Sequence, residues 1–180
     1  MAKKIYVPDA ELFNEKTLEF ITVKGQTISI EHSLVSISKW ESIWKKSFIN
    51  AGKYTPEEYL SYIKCMTITQ NVNPRIYDVL TIENLKEIQD YIDDPMTATT
   101  FTQEGNRRAH EVITSELIYC WMTMYGIPWE CQKWHINRLL TLINVCAIKN
   151  GDTKKMSKNQ IAAQNSAINA QRRKMLGSKG

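Results

Sequence analysis

The chain has little of what most chemistries announce themselves with. Its four cysteines, Cys65, Cys120, Cys131 and Cys146, form no CxxC pair, which disfavours a short-spaced zinc site, and at 180 residues the chain is too long to need disulfide staples. They read as reduced, mostly buried thiols. Neither GxGxxG nor GxxxxGK occurs, so nucleotide binding has no motif to rest on. Charged or polar residues interrupt every apolar stretch before it reaches the roughly 20 residues that span a bilayer, and the opening MAKKIYVPDAELF lacks the apolar run of a signal peptide. The expectation is a cytoplasmic protein that does not associate with membranes. There is no internal repeat.

One absence is local. Residues 153–180 contain no Asp or Glu, yet hold Lys154, Lys155, Lys158, Arg172, Arg173, Lys174 and Lys179. These are seven of the 23 basic residues, so residues 1–152 keep 16 against 19 acidic ones, a net of −3 behind an overall +4. A mildly acidic body thus carries a basic arm, which suits nucleic acid, an anionic membrane or an acidic protein surface equally well. Solvation of a helix end is the plain alternative.

What is present divides the chain in three. Over residues 1–32, KIYV, LEFITV and TISIEH alternate β-branched and aromatic residues with polar ones, and PDAELFNEKT and KGQ offer turn chemistry between them. A small antiparallel sheet or hairpin is expected, packed on something larger because an isolated hairpin is marginal in water. Residues 33–152 read as a helical body. SISKWESIWKKSFI sets Ile37, Trp40, Ile43, Trp44 and Phe48 on one helical face. Thr55, Pro56, Glu57 and Glu58 make a helix start, with a cap, a first-turn proline and acids at the positive end of the dipole. PRIYDVL predicts a short helix, and TIENLKEIQDYIDD a longer one with a stripe at Leu85, Ile88 and Ile92 that Pro95 ends. MTATTFTQEGNRR, 96–108, predicts an ordered loop or short strand. HEVITSELIYCWMTMY and a helix from about 128 to 149 form a predicted helical hairpin around Gly126 and Pro128, with LLTLINVCAI as the centre of the core. Residues 153–180 predict a basic helical arm with a sparse stripe at Ile161, Ile168 and Met175. The fold class is therefore mainly α with a small N-terminal antiparallel β element.

Candidate chemistry concentrates in IPWECQKWHINRLLTLINVC, 127–146. Cys131 and His135, four apart, could face one metal ion on a helix, with a third ligand from Cys120, Cys146, Glu130 or His110; they could equally be a thiol nucleophile and its base. Two ligands are too few, nothing orients the histidine, and a buried cysteine beside a hydrogen-bonded histidine is the ordinary reading. Glu83 with Glu87 and Asp93 with Asp94 are carboxylate neighbours on a solvated helix, with no cleft implied. No catalytic residue, metal ligand set or cofactor is assigned. Trp40, Trp44, Trp129 and Trp134 at helical spacing read as core or as interface anchors; with Lys39, Lys45, Lys46, Lys133 and Arg138 between them they could stack on single strands, but Glu41 and Glu130 interrupt the basic surface.

Four segments carry a resemblance: SLVSISKWESIWKKSF (33–48), DYIDDPMTATTF (90–101), ELIYCWMTMYGIPWECQKWHINRLLTLINVCAIKN (116–150) and SKNQIAAQNSAINAQRRKMLGSKG (157–180). Together, over about half the chain, they resemble the tail assembly chaperones of long-tailed bacteriophages, the third segment most distinctively. That resemblance implies a non-enzymatic role in the host cytoplasm: holding the aggregation-prone tape-measure protein, recruiting tail-tube protein around it, and leaving before the virion is complete. Partner contacts are then expected at Trp40, Trp44, Trp134 and Arg138 and, on the arm, at Arg172, Arg173 and Lys174, with a homo-oligomer possible. The alternatives are a permanent virion part (tail, connector or capsid-associated subunit) and a small nucleic-acid-binding module that uses the arm.

Overall fold

The computed structural model describes residues 2–14, 18–99 and 112–151. It is mainly helical with a small antiparallel β element at the N-terminus. The chain falls into two units, residues 1–144 and 145–180.

The first unit opens with four strands, β1 (Lys3–Val7), β2 (Ala10–Asn14), β3 (Glu19–Val23) and β4 (Gln26–Ile30). β1 pairs with β4 and β2 with β3, both antiparallel. The two ladders are one ribbon. Stepping inward from Val7↔Gln26 through Pro8 and Asp9 on one side and Gly25 and Lys24 on the other reaches Ala10↔Val23 with no residue gained or lost. Pro8, which has no N–H to give, interrupts the ladder, and the Gly25 N–H turns instead to the Asp9 carboxylate. Ile5, Val7, Ile28 and Ile30 are buried in the outer ladder, whereas in the inner one Ala10, Leu12, Ile21 and Val23 are the better covered and Glu11, Phe13, Phe20 and Thr22 face solvent. Covered positions shift from odd to even along the first strand while the register holds, so the ribbon turns over at the pinch. Residues 10–14, expected as turn, are strand for this reason: Pro8–Asp9 marks an interruption inside a ribbon and not its end.

The helices of the first unit follow their caps. α1 (Leu34–Trp44) starts at Ser33, whose side chain accepts from the Ser36 N–H, and stops at Lys45, which takes the left-handed conformation (φ 56°) and donates its N–H to Glu41 O. The expected longer face is thereby cut: Phe48 lies beyond the helix and Ile43 is exposed. α2 (Pro56–Met66) has the predicted start, a capping box between Thr55 and Glu58. A single 3-10 stretch covers Pro74–Val79, and α3 (Ile82–Asp93) is capped by Thr81 and buries Asn84, Ile88 and Tyr91. α3 packs on β1, where Asn84 donates to Tyr6 O (2.9 Å) and Lys3 pairs with Glu87 (2.8 Å). α4 (Ser115–Met124) begins later than the sequence predicts, at a Thr114 cap. Gly126 adopts the expected positive φ of 62°.

The predicted helix over 128–149 is in fact two pieces. Trp129–Lys133 is 3-10, Trp134 is extended, His135 bridges to Ser33 as a strand residue would, and only then does α5 (Ile136–Lys149) begin. The physical reason is the Ile136 N–H, which bonds to His32 O at 2.9 Å and so ties this segment to the end of β4. Nor does α5 form the core centre. Ile136, Leu139 and Ile143 are buried, but Leu140 and Leu142 are only part-buried and Ile148 is exposed. The centre is instead α1 on α2 and α4, where Leu34, Ile37 and Trp40, Ile63 and Met66, and Ile118 are all fully buried, as are the strand residues Ile28 and Ile30.

In the second unit the described residues are 145–151, the last turns of α5 and its stop at Gly151 (φ 74°). The basic arm expected over 153–180, and most of the loop expected over 96–108, lie outside the described residues.

Candidate functional site

Trp40, expected at a partner interface, is at 0% exposure and donates its indole N–H to Glu58 O at 2.9 Å. With no surface to offer, it is a core residue, and that expectation is corrected. Trp44, stacked on Trp40 with centroids 6.2 Å apart, is half-buried and donates to Ser61 Oγ (3.0 Å). Lys46 lies over both rings, 5.9 and 5.8 Å from their centroids, and its ammonium reaches the Glu58 carboxylate. That hydrogen bond, with the Thr55 backbone N–H, holds the Glu58 carboxyl below its usual range. Trp134 is half-buried beneath the exposed guanidinium of Arg138, 4.2 Å from its ring centroid. The structure therefore brings Trp134 and Arg138 together and puts Trp40 inside, with Trp44 stacked on it. Arg172, Arg173 and Lys174 lie outside the described residues.

Cys131 and His135 do not share a helical face, since the 3-10 turn ends at Lys133, Trp134 is extended and His135 lies in a bridge. Burial pushes the Cys131 thiol up, away from thiolate. Among the described residues no group of three or more His, Cys, Asp or Glu side chains could hold a metal ion.

His135 belongs to a different constellation, one that sequence spacing does not reveal. His32, at the end of β4, meets the His135 ring edge-on with centroids 4.9 Å apart. His135 Nε2 faces Tyr91 O at 2.8 Å, and a carbonyl accepts only, so this nitrogen carries the proton. Its Nδ1 is buried without a partner. The Tyr62 hydroxyl lies 2.6 Å from His32 Nδ1. Burial first, and His135 second, push His32 down to about 3, and burial likewise lowers His135. Both rings are neutral at pH 7.

His32 and Tyr62 also line a cleft of about 680 Å³ together with Phe48, Tyr54, Tyr59 and Pro56, with Lys53, Gln89, Asp93 and Asn137 among its polar residues. The loop after α1 supplies Phe48 and Tyr54, which stack at 5.0 Å with Tyr54 Oη donating to Phe48 O. Burial raises the Tyr54 hydroxyl to about 12, so every phenol here is un-ionised. The cleft thus has aromatic walls, and the imidazole and phenols that line it are uncharged at pH 7.

Two aromatic pairs carry exposed rings, and of their residues the sequence singles out Trp129 alone. Phe13 and Phe20 are cross-strand partners on the solvent face of the inner ladder, with centroids 5.2 Å apart and 51% and 70% exposed. Trp129, which sits 55% exposed beside Tyr119 at 5.5 Å, is the open tryptophan that Trp40 is not. No helix among the described residues is long and apolar enough to cross a membrane. Comparison with protein-family models, with curated proteins and with solved structures finds no match to the chain.

Proposed function

We propose that the protein is a non-enzymatic tail assembly factor of a long-tailed bacteriophage, which binds the tape-measure protein, tail-tube subunits or both in the host cytoplasm during virion assembly. The four-segment resemblance supplies the class. The observation that supports it is a set of exposed aromatic rings, Phe13 and Phe20 paired on the ribbon and Trp129 against the half-buried Tyr119 of α4. Large aromatics left open lose the benefit of burial unless a partner covers them, and they are the side chains that anchor protein interfaces. Trp134 under Arg138 is a third, cationic anchor of the same kind.

Co-expression with the tape-measure protein and with the tube protein tests the reading: a complex with at least one is expected, and none with either sinks it. Mass spectrometry of purified particles separates a transient factor, absent or scarce, from a permanent component in stoichiometric amount. DNA binding at low salt, lost as salt rises, would instead favour the nucleic-acid module. Replacing Arg172, Arg173 and Lys174 with alanine is expected to weaken client binding about ten-fold, the scale of a few charge-assisted contacts, while leaving thermal unfolding unchanged.

A further inference from the structure

The cleft over His32 and Tyr62 has a hydrogen-bonding pattern that selects a ligand. Tyr62 is buried, and burial holds its ionisation well above the usual range. A buried phenol that keeps its proton must donate it, and His32 Nδ1 at 2.6 Å is the acceptor. His32 then carries its own proton on Nε2, and this N–H is the ring's remaining polar atom in the cleft the ring lines. Asn137 is fixed just as closely. Its Nδ2 donates to Ile92 O (3.0 Å) and to Asp94 O (2.9 Å), which uses both amide hydrogens and leaves Oδ1 to accept. The groups lining the cleft therefore include a ring N–H donor and an amide carbonyl acceptor beside the aromatic side chains of Tyr54 and Tyr59. Among its lining residues Lys53 and Asp93 are one charge of each sign, so neither a polyanion nor a polycation gains from entering.

A donor and an acceptor beside an apolar wall complement the two peptide groups that flank an apolar side chain, the carbonyl of one and the N–H of the next. We propose that this cleft binds an extended, uncharged peptide segment of a partner protein: a backbone carbonyl accepts from His32 Nε2, a backbone N–H donates to Asn137 Oδ1, and an apolar side chain lies against Tyr54 and Tyr59. The identity of the partner rests on the assembly-factor reading; the site does not.

The test uses the full chain and small probes. N-acetyl-leucine N-methylamide carries both peptide groups and the side chain, whereas N-acetyl-leucine replaces the second amide with a carboxylate. Titration followed by amide proton–nitrogen NMR is expected to show saturable, millimolar binding of the first, with the largest changes at Tyr54, Tyr59 and the Asn137 side-chain amide. The acid should bind about five-fold more weakly, as the loss of one hydrogen bond predicts. Tyr59→Ala should weaken the amide by a similar factor with the circular dichroism spectrum intact. Equal binding of amide and acid, or changes located away from these residues, overturns the proposal even if Tyr59→Ala fails to fold, because that comparison needs no variant. Amide binding without any client complex sinks the client reading and leaves the cleft; a client complex without amide binding does the reverse.

Discussion

Single side chains do much of the joining in this fold, and Glu41 does most. It is buried, and its two carboxylate oxygens take two different backbone donors, Oε1 the Phe48 N–H and Oε2 the Ser115 N–H, each at 2.8 Å. One donor lies in the loop that carries Phe48 and Tyr54 to the cleft; the other is the first residue of α4, an otherwise orphaned helix-start N–H near the positive end of the dipole. Glu41→Ala is expected to leave both donors buried and unpaired, at about 3 kcal/mol. Glu41→Gln, which retains a single acceptor, should lose about half of that. Urea unfolding of both variants measures it, and equal loss would mean that the carboxylate acts as bulk and not as a double acceptor. In the sequence Glu41 reads only as a charge on the polar face of a helix. Its partners stand 7 and 74 residues away, and no local pattern encodes that.

At the scale of elements, the sequence is most legible where one residue serves one local bond. Thr55 with Glu58, Thr81 before α3 and Gly126 at its positive φ all sit where turn and cap chemistry puts them. It misleads where the same chemistry serves a tertiary end. Pro8–Asp9 and Lys24–Gly25 look like two turns and are the two sides of one pinch; Trp134–His135 looks like mid-helix and is a bridge, because Ser33 and His32 O compete for its backbone. The cleft was invisible for the same reason, since His32, Tyr54, Tyr62 and Asn137 come from four elements or loops. The pinch gives a direct prediction. A Cβ on Gly25 would sit 2.8 Å from Val7 O and 2.9 Å from Asp9 N, backbone atoms that cannot rotate away. Gly25→Ala should therefore cost about 1–3 kcal/mol by overpacking, seen as a lower urea midpoint. It should also shift the aromatic NMR signals of Phe13 and Phe20, while Thr22→Ala on the exposed face of the same ladder should leave the stability measured in urea within about 0.5 kcal/mol.

For the first unit as a whole, the two histidines tie its stability to pH. Tyr62 from α2, Tyr91 from α3, His32 from the end of β4 and His135 before α5 meet in one buried cluster, so a proton forced into it acts on elements far apart in sequence. His32 is held down to about 3 in the folded chain against 6.5 in the open one. Above pH 6.5 both states are neutral there and its contribution is fully present. As pH falls below 6.5 the unfolded chain takes up a proton that the folded chain refuses, so stability declines by up to about 1.4 kcal/mol per pH unit and is about 2 kcal/mol lower at pH 5. His135, lowered in the same direction, adds to the loss. Glu58 is lowered too, but as a carboxylate its contribution is lost only as pH falls below 4.5, so the interval from 6.5 to 5 reports chiefly on the imidazoles. Urea unfolding at pH 7.5 and pH 5.0 should show the difference. His32→Gln, whose amide oxygen can still accept from Tyr62, should start less stable at pH 7.5 and lose less on acidification. If wild type and variant fall by the same amount, His32 is exposed enough to protonate in place, and the neutral ring that the cleft depends on is not there at low pH.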